Sequence, residues 1–332
     1  MRILVTGGAG YVGSHCVRAL CNAGHGVVVY DNLSKGHRQA VDDRAELVVA
    51  DLADRDRLSS TMADQRVEAV MHFAALAEVG ESVRDPLTYY RANVANSVTL
   101  LEAMRSHNVK RFVFSSSCAV YGIPPAVPIT EEMPKRPINP YGRTKLVIEW
   151  LMEDCAAAWG LGSTALRYFN AAGAAEDGTI GEDHDPESHL IPRVLQVALG
   201  QHDEIKVFGD DYDTPDGSCV RDYVHVEDLG EIHRTAIENQ PSGQFRFYNV
   251  GTGVGVSVKE LIAAARDVTG HAIPASIVAR RPGDPPQLFA DPAKLARELD
   301  WKPQYRDIRQ TIETAWNWHR DHPSGFGDPK RA

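Results

Sequence analysis

Residues 2–31 read RILVTGGAGYVGSHCVRALCNAGHGVVVYD, and this stretch decides the fold. Residues 2–6 form an apolar run of strand length. Gly7, Gly10 and Gly13 punctuate the turn that follows and open a helix, and a second apolar run, 26–31, ends on Asp31. Runs that are continuously apolar, rather than alternating, belong to strands covered on both faces, as in a parallel sheet. Glycines at such a turn allow a tight bend, close approach of a pyrophosphate to the backbone and close packing of helix on strand. The helix N-terminus adds free N–H groups and a partial positive charge. Asp31 lies 18 residues past Gly13, where a carboxylate meets a ribose 2′-hydroxyl, and this favours NAD over NADP. The spacing is GxxGxxG, not the commoner GxGxxG. By itself a glycine turn is equally a plain connection with a helix-capping acid nearby. Strand, turn, helix, strand and acid in that order point to a dinucleotide site. Asp51 and Leu52, at the end of the third apolar run, are placed to reach an adenine, although a strand-end turn asks for an acid just as often.

Working outward, further strand-length runs lie at 45–51, 69–74, 111–117 and 163–170, with segments between them long enough for right-handed helical crossovers. Six runs predict an α/β fold, a Rossmann-like doubly wound parallel sheet. The helix over 139–160 is specified by Asn139 as cap, Pro140 in the first turn, an apolar side of Leu146, Ile148, Leu151, Met152 and Cys155, and a stop at Gly160. After Asn170 the composition turns to Gly, Asp, Pro and Ser, which places the domain change there. Residues 1–170 read as the NAD-binding domain and 171–332 mainly as a smaller mixed α/β substrate-binding lobe. In the second half helices are expected near 189–200, 257–269 and 308–321 and strands at 205–208, 220–226 and 245–250. Strand-like runs that return after residue 170 imply that some segments rejoin the first domain.

The chain has 332 residues, 43% hydrophobic and 24% charged, which excludes disordered, collagenous and disulfide-scaffold classes. A net charge of −10 with scattered basic residues leaves no footprint for nucleic acid or an anionic membrane. An anionic substrate must then be held by local arginines or backbone amides. Five cysteines, with no CxxC pair and one left over in any pairing, indicate reduced thiols in a cytoplasmic protein and no structural zinc. No apolar run approaches the ~18 residues of a membrane span.

Tyr141 and Lys145, in NPYGRTK, stand four apart on one helix face. A phenol with a pKa near ~10 is a poor base at neutral pH, but an adjacent ammonium, a helix N-terminus and a nicotinamide cation all favour its phenolate. Ser117, closing the fifth run, lies at the carboxyl end of its strand, the side that faces the ligand crevice in open parallel sheets. YxxxK alone is met by chance in many helices, where it is a surface tyrosine beside a surface lysine. The glycine turn, Asp31 and Ser117 give it meaning.

With these residues the sequence resembles the extended short-chain dehydrogenase/reductase family, and within it the isomerases that invert UDP-hexoses at C4. The likeness runs end to end through MRILVTGGAGYVGSH, VVVYDNLS, HFAALAEVGESV, FVFSSSCAVYG, NPYGRTK, ALRYFNAAG, HLIPRVLQVALG, VFGDDYDTPDGSCVRDYVHVEDL, YNVGTGVGVSV and RRPGDPPQLFAD. It implies Ser117, Tyr141 and Lys145 as the catalytic set. It implies NAD held by Gly7, Gly10, Tyr11, Val12, Gly13, Asp31, Asn32, Ser34, Asp51, Leu52, Phe73, Ala74, Ala75, Asn93, Ser115 and Tyr168 together with Tyr141 and Lys145. The UDP-sugar would meet Ser117, Tyr141, Phe169, Asn170, His189, Leu190, Val207, Phe208, Arg221, Arg281, Asp284 and Leu288, with no catalytic metal and a homodimer formed through helices of the first domain. Charge supports the two arginines independently, since guanidinium forks suit phosphate oxygens; each alone would read as a surface ion pair. His225 and Asp222 read as structural.

Three positions depart from the pattern of the best-known bacterial members: Ala77 replaces a lysine, Ala119 a threonine two residues past Ser117, and His189 an asparagine. These bear on affinity. Leu288 falls where a tyrosine in the family excludes 2-N-acetyl sugars, so some UDP-N-acetylglucosamine epimerisation is implied. A sugar-nucleotide 4,6-dehydratase or a UDP-glucuronate decarboxylase would show a carboxylate beside Ser117, where this chain has Cys118 and Ala119. A UDP-glucuronate or UDP-pentose 4-epimerase differs only in pocket lining. A non-enzymatic NAD-binding regulatory protein could dispense with Tyr141 and Lys145, which are retained here.

Overall fold

The computed structural model describes residues 1–281 and 283–327; the end of the expected second lobe, 328–332, lies outside them. The strands are β1 (Arg2–Thr6), β2 (Gly26–Asp31), β3 (Glu46–Val49), β4 (Ala69–His72), β5 (Arg111–Ser117), β6 (Gly162–Tyr168), β7 (Asn170–Ala172), β8 (Ile205–Phe208), β9 (Val220–Arg221), β10 (Tyr223–His225), β11 (Phe245–Val250), β12 (Val256–Ser257), β13 (Ala275–Val278) and β14 (Gln287–Leu288). The helices are α1 (Tyr11–Asn22), α2 (Arg55–Asp64), α3 (Val79–Arg84), α4 (Pro86–Tyr89), α5 (Asn96–Ser106), α6 (Pro140–Trp159), α7 (Leu190–Ala198), α8 (Val226–Glu238), α9 (Val258–Thr269), α10 (Ala293–Leu299) and α11 (Ile308–Asp321), with a π-helical turn at Tyr90–Ala95.

Seven strands form one parallel sheet in the order β11-β6-β5-β4-β1-β2-β3. The chain builds β1 to β3 outward in one direction, then returns to lay β4 on the other side of β1. That reversal opens a crevice beyond the carboxyl ends of β1 and β4, where open α/β sheets bind ligands. Each face is sealed by its own apolar cluster. Ile3, Val5, Val27 and Val29 meet Val17 and Leu20 of α1 and Leu229 and Ile232 of α8 on one side. Leu4, Val28, Val70 and Phe112 meet Leu58, Leu100, Ile148 and Met152 on the other. β3 departs from the expectation of strands covered on both faces: as the edge strand it leaves Glu46 and Val49 exposed.

α6 shows the local logic. The Asn139 side chain accepts the Gly142 N–H at 2.8 Å, Pro140 occupies the first turn, and Gly160 ends the helix at φ 77°. The second half holds a cluster built by α7, α9 and α11, including Val194, Leu195, Leu261, Ile262 and Ile312. The chain also re-enters the first layer there: α8 packs on α1, β11 adds the seventh strand, and Leu295 and Trp301 join the α1 side.

The expected strand over 220–226 is two short strands in different sheets, β9 and β10, separated by Asp222. The Asp222 carboxylate accepts the N–H groups of Thr252, Gly253 and Ala290 and the Thr252 hydroxyl, so the chain bends around a buried acid. From Val226 it becomes helix, started by His225, whose ring accepts the Glu227 N–H, and by Glu227 and Asp228 in the first turn. Among the described residues no helix is long and apolar enough to cross a membrane.

Candidate active site

The glycine turn lies at the crevice. Gly7 adopts φ 73°, and a Cβ there would stand 2.4 Å from the Ala74 nitrogen; a Cβ at Gly13 would stand 2.2 Å from the Gly7 oxygen. Both glycines are demanded by packing of β1, α1 and the end of β4. Gly10 is different, since its Cβ would meet only the Gly7 oxygen, at 3.4 Å, so the protein itself leaves that side open. No side chain caps α1 and its first turn carries no acid. An open glycine before an uncapped 12-residue helix fits a pyrophosphate. The Asp31 carboxylate is buried and accepts the N–H groups of Ala9 (3.0 Å) and Leu33 (2.8 Å), which ties the acid to the turn it must serve. Asn32 donates to Asp51 at 2.7 Å, its carbonyl oxygen accepts the Ser34 N–H, and Leu52 is buried beneath them.

Opposite, the loop after β4 carries Phe73, Ala74 and Ala75, with the Phe73 ring 4.8 Å from that of His233. Asn93 is fully buried in the π-helical turn. Its amide accepts the Leu76 N–H and donates to the Leu76 carbonyl and to Thr144, so it shapes this loop and joins it to α6. Val12 packs against the α1-side core. The Tyr11 hydroxyl donates to the Gly173 carbonyl at 2.6 Å, linking the turn to the chain beyond β7.

Ser117, Tyr141 and Lys145 meet at the carboxyl end of β5 and the first turns of α6. Ser117 stands beside Tyr141, and its hydroxyl accepts the Ala119 N–H at 3.2 Å. Lys145 is buried, donates to the Ser115 carbonyl at 2.8 Å, and lies 5.7 Å from the Tyr141 ring centre and 4.8 Å from that of Phe114. Ser115 and Tyr168 share a hydrogen bond of 2.8 Å between β5 and β6. Burial raises the Tyr141 phenol strongly, with Ser117 opposing, and lowers Lys145 to about 7, with the Glu149 carboxylate opposing. Among the protein's own groups, then, desolvation outweighs the ammonium that the sequence offered as the tyrosine's activator.

Glu149 escaped the sequence reading. It sits one turn beyond Lys145, accepts from Ser116 at 2.7 Å, and takes Arg167 on both oxygens at 2.8 and 2.6 Å; both side chains are buried. Arg167 also donates to Tyr121 at 2.7 Å, and Tyr121 donates to Asn249 on the seventh strand. The only signal was an acid four residues after the lysine on one helix face.

A second cavity of about 290 Å³ lies between β7, α7 and β8. Asn170, His189, Leu190, Val207 and Phe208 line it together with Arg221, Arg281 and Asp284. Arg221 pairs with Asp284 at 2.5 Å, and the Arg281 guanidinium stacks 3.9 Å from the Phe208 ring centre. Phe169 and Leu288 do not line this cavity. Phe169 is buried with Val120, Tyr121, Leu146 and Ala290, and Leu288 packs on that cluster.

A phenol, a hydroxyl and an ammonium gathered beside a dinucleotide crevice is the layout of a nicotinamide-dependent enzyme acting at an alcohol carbon. Residues 3–251 match the model of the NAD dependent epimerase/dehydratase family, and the chain belongs to that family. It is 51% identical over 327 residues, 98% of each chain, to a UDP-glucose 4-epimerase of Halalkalibacterium halodurans. Among solved structures it resembles the UDP-glucose 4-epimerase of Brucella ovis in complex with NAD (48% identity, TM-score 0.92, 95% of this chain and 97% of that one). It also resembles that of Bifidobacterium longum in complex with NAD+ and UDP (40%, TM-score 0.94, 98% and 100%).

Proposed function

We propose that the chain interconverts UDP-galactose and UDP-glucose by inversion at C4, with NAD in the crevice between β1 and β4 and the UDP-sugar spanning from Tyr141 to the second cavity. The observation that carries this reading is the convergence of Ser117, Tyr141 and Lys145 beside that crevice. Gly10 and the α1 N-terminus hold the pyrophosphate, Asp31 a ribose, and Asn32, Asp51 and Leu52 the adenine end. Ala74 and the Asn93-braced loop hold the opposite wall. When bound there, NAD supplies a hydride acceptor that becomes the donor on return, together with a positive charge, so turnover has no net redox.

The chain's own residues do the rest. Tyr141 takes the proton of the sugar 4-hydroxyl as C4 is oxidised to a ketone and gives it back on reduction from the other face. Ser117, beside the phenol, orients that hydroxyl. Lys145, whose charge Glu149 favours against burial, biases Tyr141 towards phenolate to the extent that it is protonated, and stands ready to bind a ribose hydroxyl. Arg221 and Arg281 supply the fixed cations that a diphosphate needs in a protein of net charge −10. Anchoring UDP while leaving the hexose loosely held permits the keto-sugar to present its second face.

Leu288 is smaller than tyrosine and half-buried beside Phe169, which supports room for a 2-N-acetyl group. Support for a homodimer comes from Val79, Val83, Leu87 and Trp150, apolar side chains exposed on α3, α4 and α6, which pack on one another. Such a patch suits a second copy. All five cysteines are free, in keeping with a reducing cytoplasm.

The test is incubation with UDP-galactose, without added acceptor, and chromatography of the products. UDP-glucose without accumulating NADH supports the reading. Bound NAD with no conversion of UDP-galactose overturns it in favour of a glucuronate or pentose nucleotide, or of a regulatory protein.

A further inference from the structure

Between β7 and α7 the chain reads EDHDPESH over 182–189, and this loop is held from outside itself. The Trp318 ring N–H donates to the Glu182 carbonyl at 3.2 Å, and the Asp183 carboxylate accepts the Phe326 N–H at 2.8 Å, so α11 and the segment after it fix one end. Glu187 accepts the N–H groups of Ser188 and His189, each at 2.7 Å, which fixes the other. Held in this way, Glu182, His184, Glu187 and His189 bring one ligand-capable atom each to within 4.8 Å of all the others.

The separations are those of a coordination shell. His184 Nδ1 lies 3.2 Å from Glu182 Oε1 and 3.6 Å from Glu187 Oε2; His189 Nδ1 lies 2.7 Å from Glu182 Oε1 and 3.2 Å from Glu187 Oε1. A tetrahedron with metal–ligand bonds of ~2.05 Å has edges of ~3.3 Å, and these nitrogen-to-oxygen distances, taken over both Glu187 oxygens, fall on either side of that value. Two of these atoms, Glu182 Oε1 and His184 Nδ1, are buried and make ion-pair contacts but no hydrogen bond of good geometry. Ring nitrogen and carboxylate stand near one another without being aimed at one another. Unsatisfied buried polar atoms call for a partner, and an ion is one of the few that fits.

We propose that Glu182, His184, Glu187 and His189 bind one zinc ion. Two imidazoles and two carboxylates suit zinc over magnesium or calcium, which take oxygen shells of six or more. A dication with two carboxylates and two neutral imidazoles is electrically balanced, so the ion takes the place that two protons fill in a purely ion-paired cluster. Four protein ligands leave no open position, which makes the ion structural, not catalytic. Its position gives it work to do. The His184 ring meets the Tyr11 ring edge-on at 6.1 Å, on the glycine turn, while Glu182 and His189 line the second cavity. The ion thereby clamps the segment joining the dinucleotide turn to the cavity wall. Cysteine counting missed the site because no cysteine takes part; the readable signal was ExHxxExH. The inference is independent of which sugar nucleotide the protein turns over.

The experiment uses the NAD-loaded protein, stripped with EDTA, returned to zinc chloride and gel-filtered. One equivalent of zinc per chain by elemental analysis, with a rise in Tm, is expected. Zinc well below one equivalent with no change in Tm overturns the proposal and leaves an ion-paired cluster with both imidazoles protonated. The double variant His184→Gln, Glu187→Gln, confirmed folded by circular dichroism, should lose at least ten-fold in retained zinc; undiminished zinc would place the ion elsewhere and refute the assignment. Should that variant not fold, X-ray absorption on the wild-type zinc protein decides: a four-coordinate shell of nitrogen and oxygen with two imidazoles is required, and sulfur or an all-oxygen shell excludes it.

Discussion

Glu149→Gln separates the two jobs of the acid behind the active site. The carboxylate holds Arg167 on both oxygens in a pair with side chains 2% and 0% exposed, and it opposes the fall in the Lys145 pKa. Gln keeps the shape but abandons a buried guanidinium, a loss of about 3–5 kcal/mol. Unfolding entropy of ~2.1 cal/mol/K per residue gives about 0.7 kcal/mol/K for 332 residues, so Tm should fall by about 4–7 °C. Lys145 stands at about 7 with Glu149 present. Without it the lysine deprotonates at lower pH, and the alkaline limb of kcat against pH should move towards acid. Calorimetry and initial rates from pH 6 to 9 measure the two effects. Replacing both partners by methionine should recover most of the Tm, since an apolar pair replaces an ionic one at little net cost, while leaving the limb shifted. A Tm within 1 °C of wild type in Glu149→Gln, or a limb restored in the double variant, would refute the reasoning.

Tyr141→Phe should lower kcat by at least two orders of magnitude, the usual scale of a lost general base, with UDP binding by calorimetry little changed; near-normal turnover removes Tyr141 as the base. Leu288→Tyr should depress turnover of UDP-N-acetylgalactosamine at least ten-fold more than that of UDP-galactose, and equal losses would show that the residue does not gauge the C2 substituent. Leu87→Glu with Trp150→Glu should halve the mass seen by light scattering, and a monomeric wild type would dispose of the proposed pairing. Burial lowers His72 and His225 to about 3 and His15 and His233 to about 4. Their folded pKa values lie below the unfolded ~6.5, so the stability they allow is present above pH 6.5 and is lost as pH falls towards 4. At pH 5.5 each costs about 1.4 kcal/mol, and Asp228, raised to about 6, recovers about 1 kcal/mol in all. His184 and His189, raised against burial to about 9 and about 11 by Glu182 and Glu187, work in the opposite direction over the same window. Tm should therefore be only a few degrees lower at pH 5.5 than at pH 7.5, and a Tm that rises towards pH 5.5 would contradict the neutral burial of these rings.

The sheet was legible because its information is local. Apolar runs bounded by turns, with caps such as Asn139 and stops such as Gly160, state strand and helix without reference to partners. The exposed edge of β3 was not legible, since a strand's place in the order is decided by where β4 returns and not by its own residues. The division of 220–226 was hidden for the same reason. Asp222 bends the chain only because the N–H groups of Thr252, Gly253 and Ala290, far along the sequence, converge on it.

The site divides on similar lines. Gly7, Gly13, Asp31, Ser117, Tyr141 and Lys145 could be named from the sequence because their spacing is fixed by single turns and strand ends. Asn93, Glu149 and Arg167 act across elements: Asn93 was named only through the family resemblance, Glu149 had only its place four residues after Lys145, and nothing near Arg167 in sequence announces its role. The electrostatics are the least local of all. Spacing puts an ammonium beside a phenol and suggests a phenolate, yet in the folded chain both groups are driven towards neutrality by the burial that aligns them. Opposing that burial are the Ser117 hydroxyl near Tyr141 and the Glu149 charge near Lys145. A positively charged nicotinamide, held beside Tyr141 as proposed, would add the charge that the protein alone does not supply. With that charge the phenolate would be favoured in the oxidised complex; with the ring reduced and neutral the proton would stay on Tyr141, and return of the hydride, by restoring the ring's charge, would release it to the sugar oxygen.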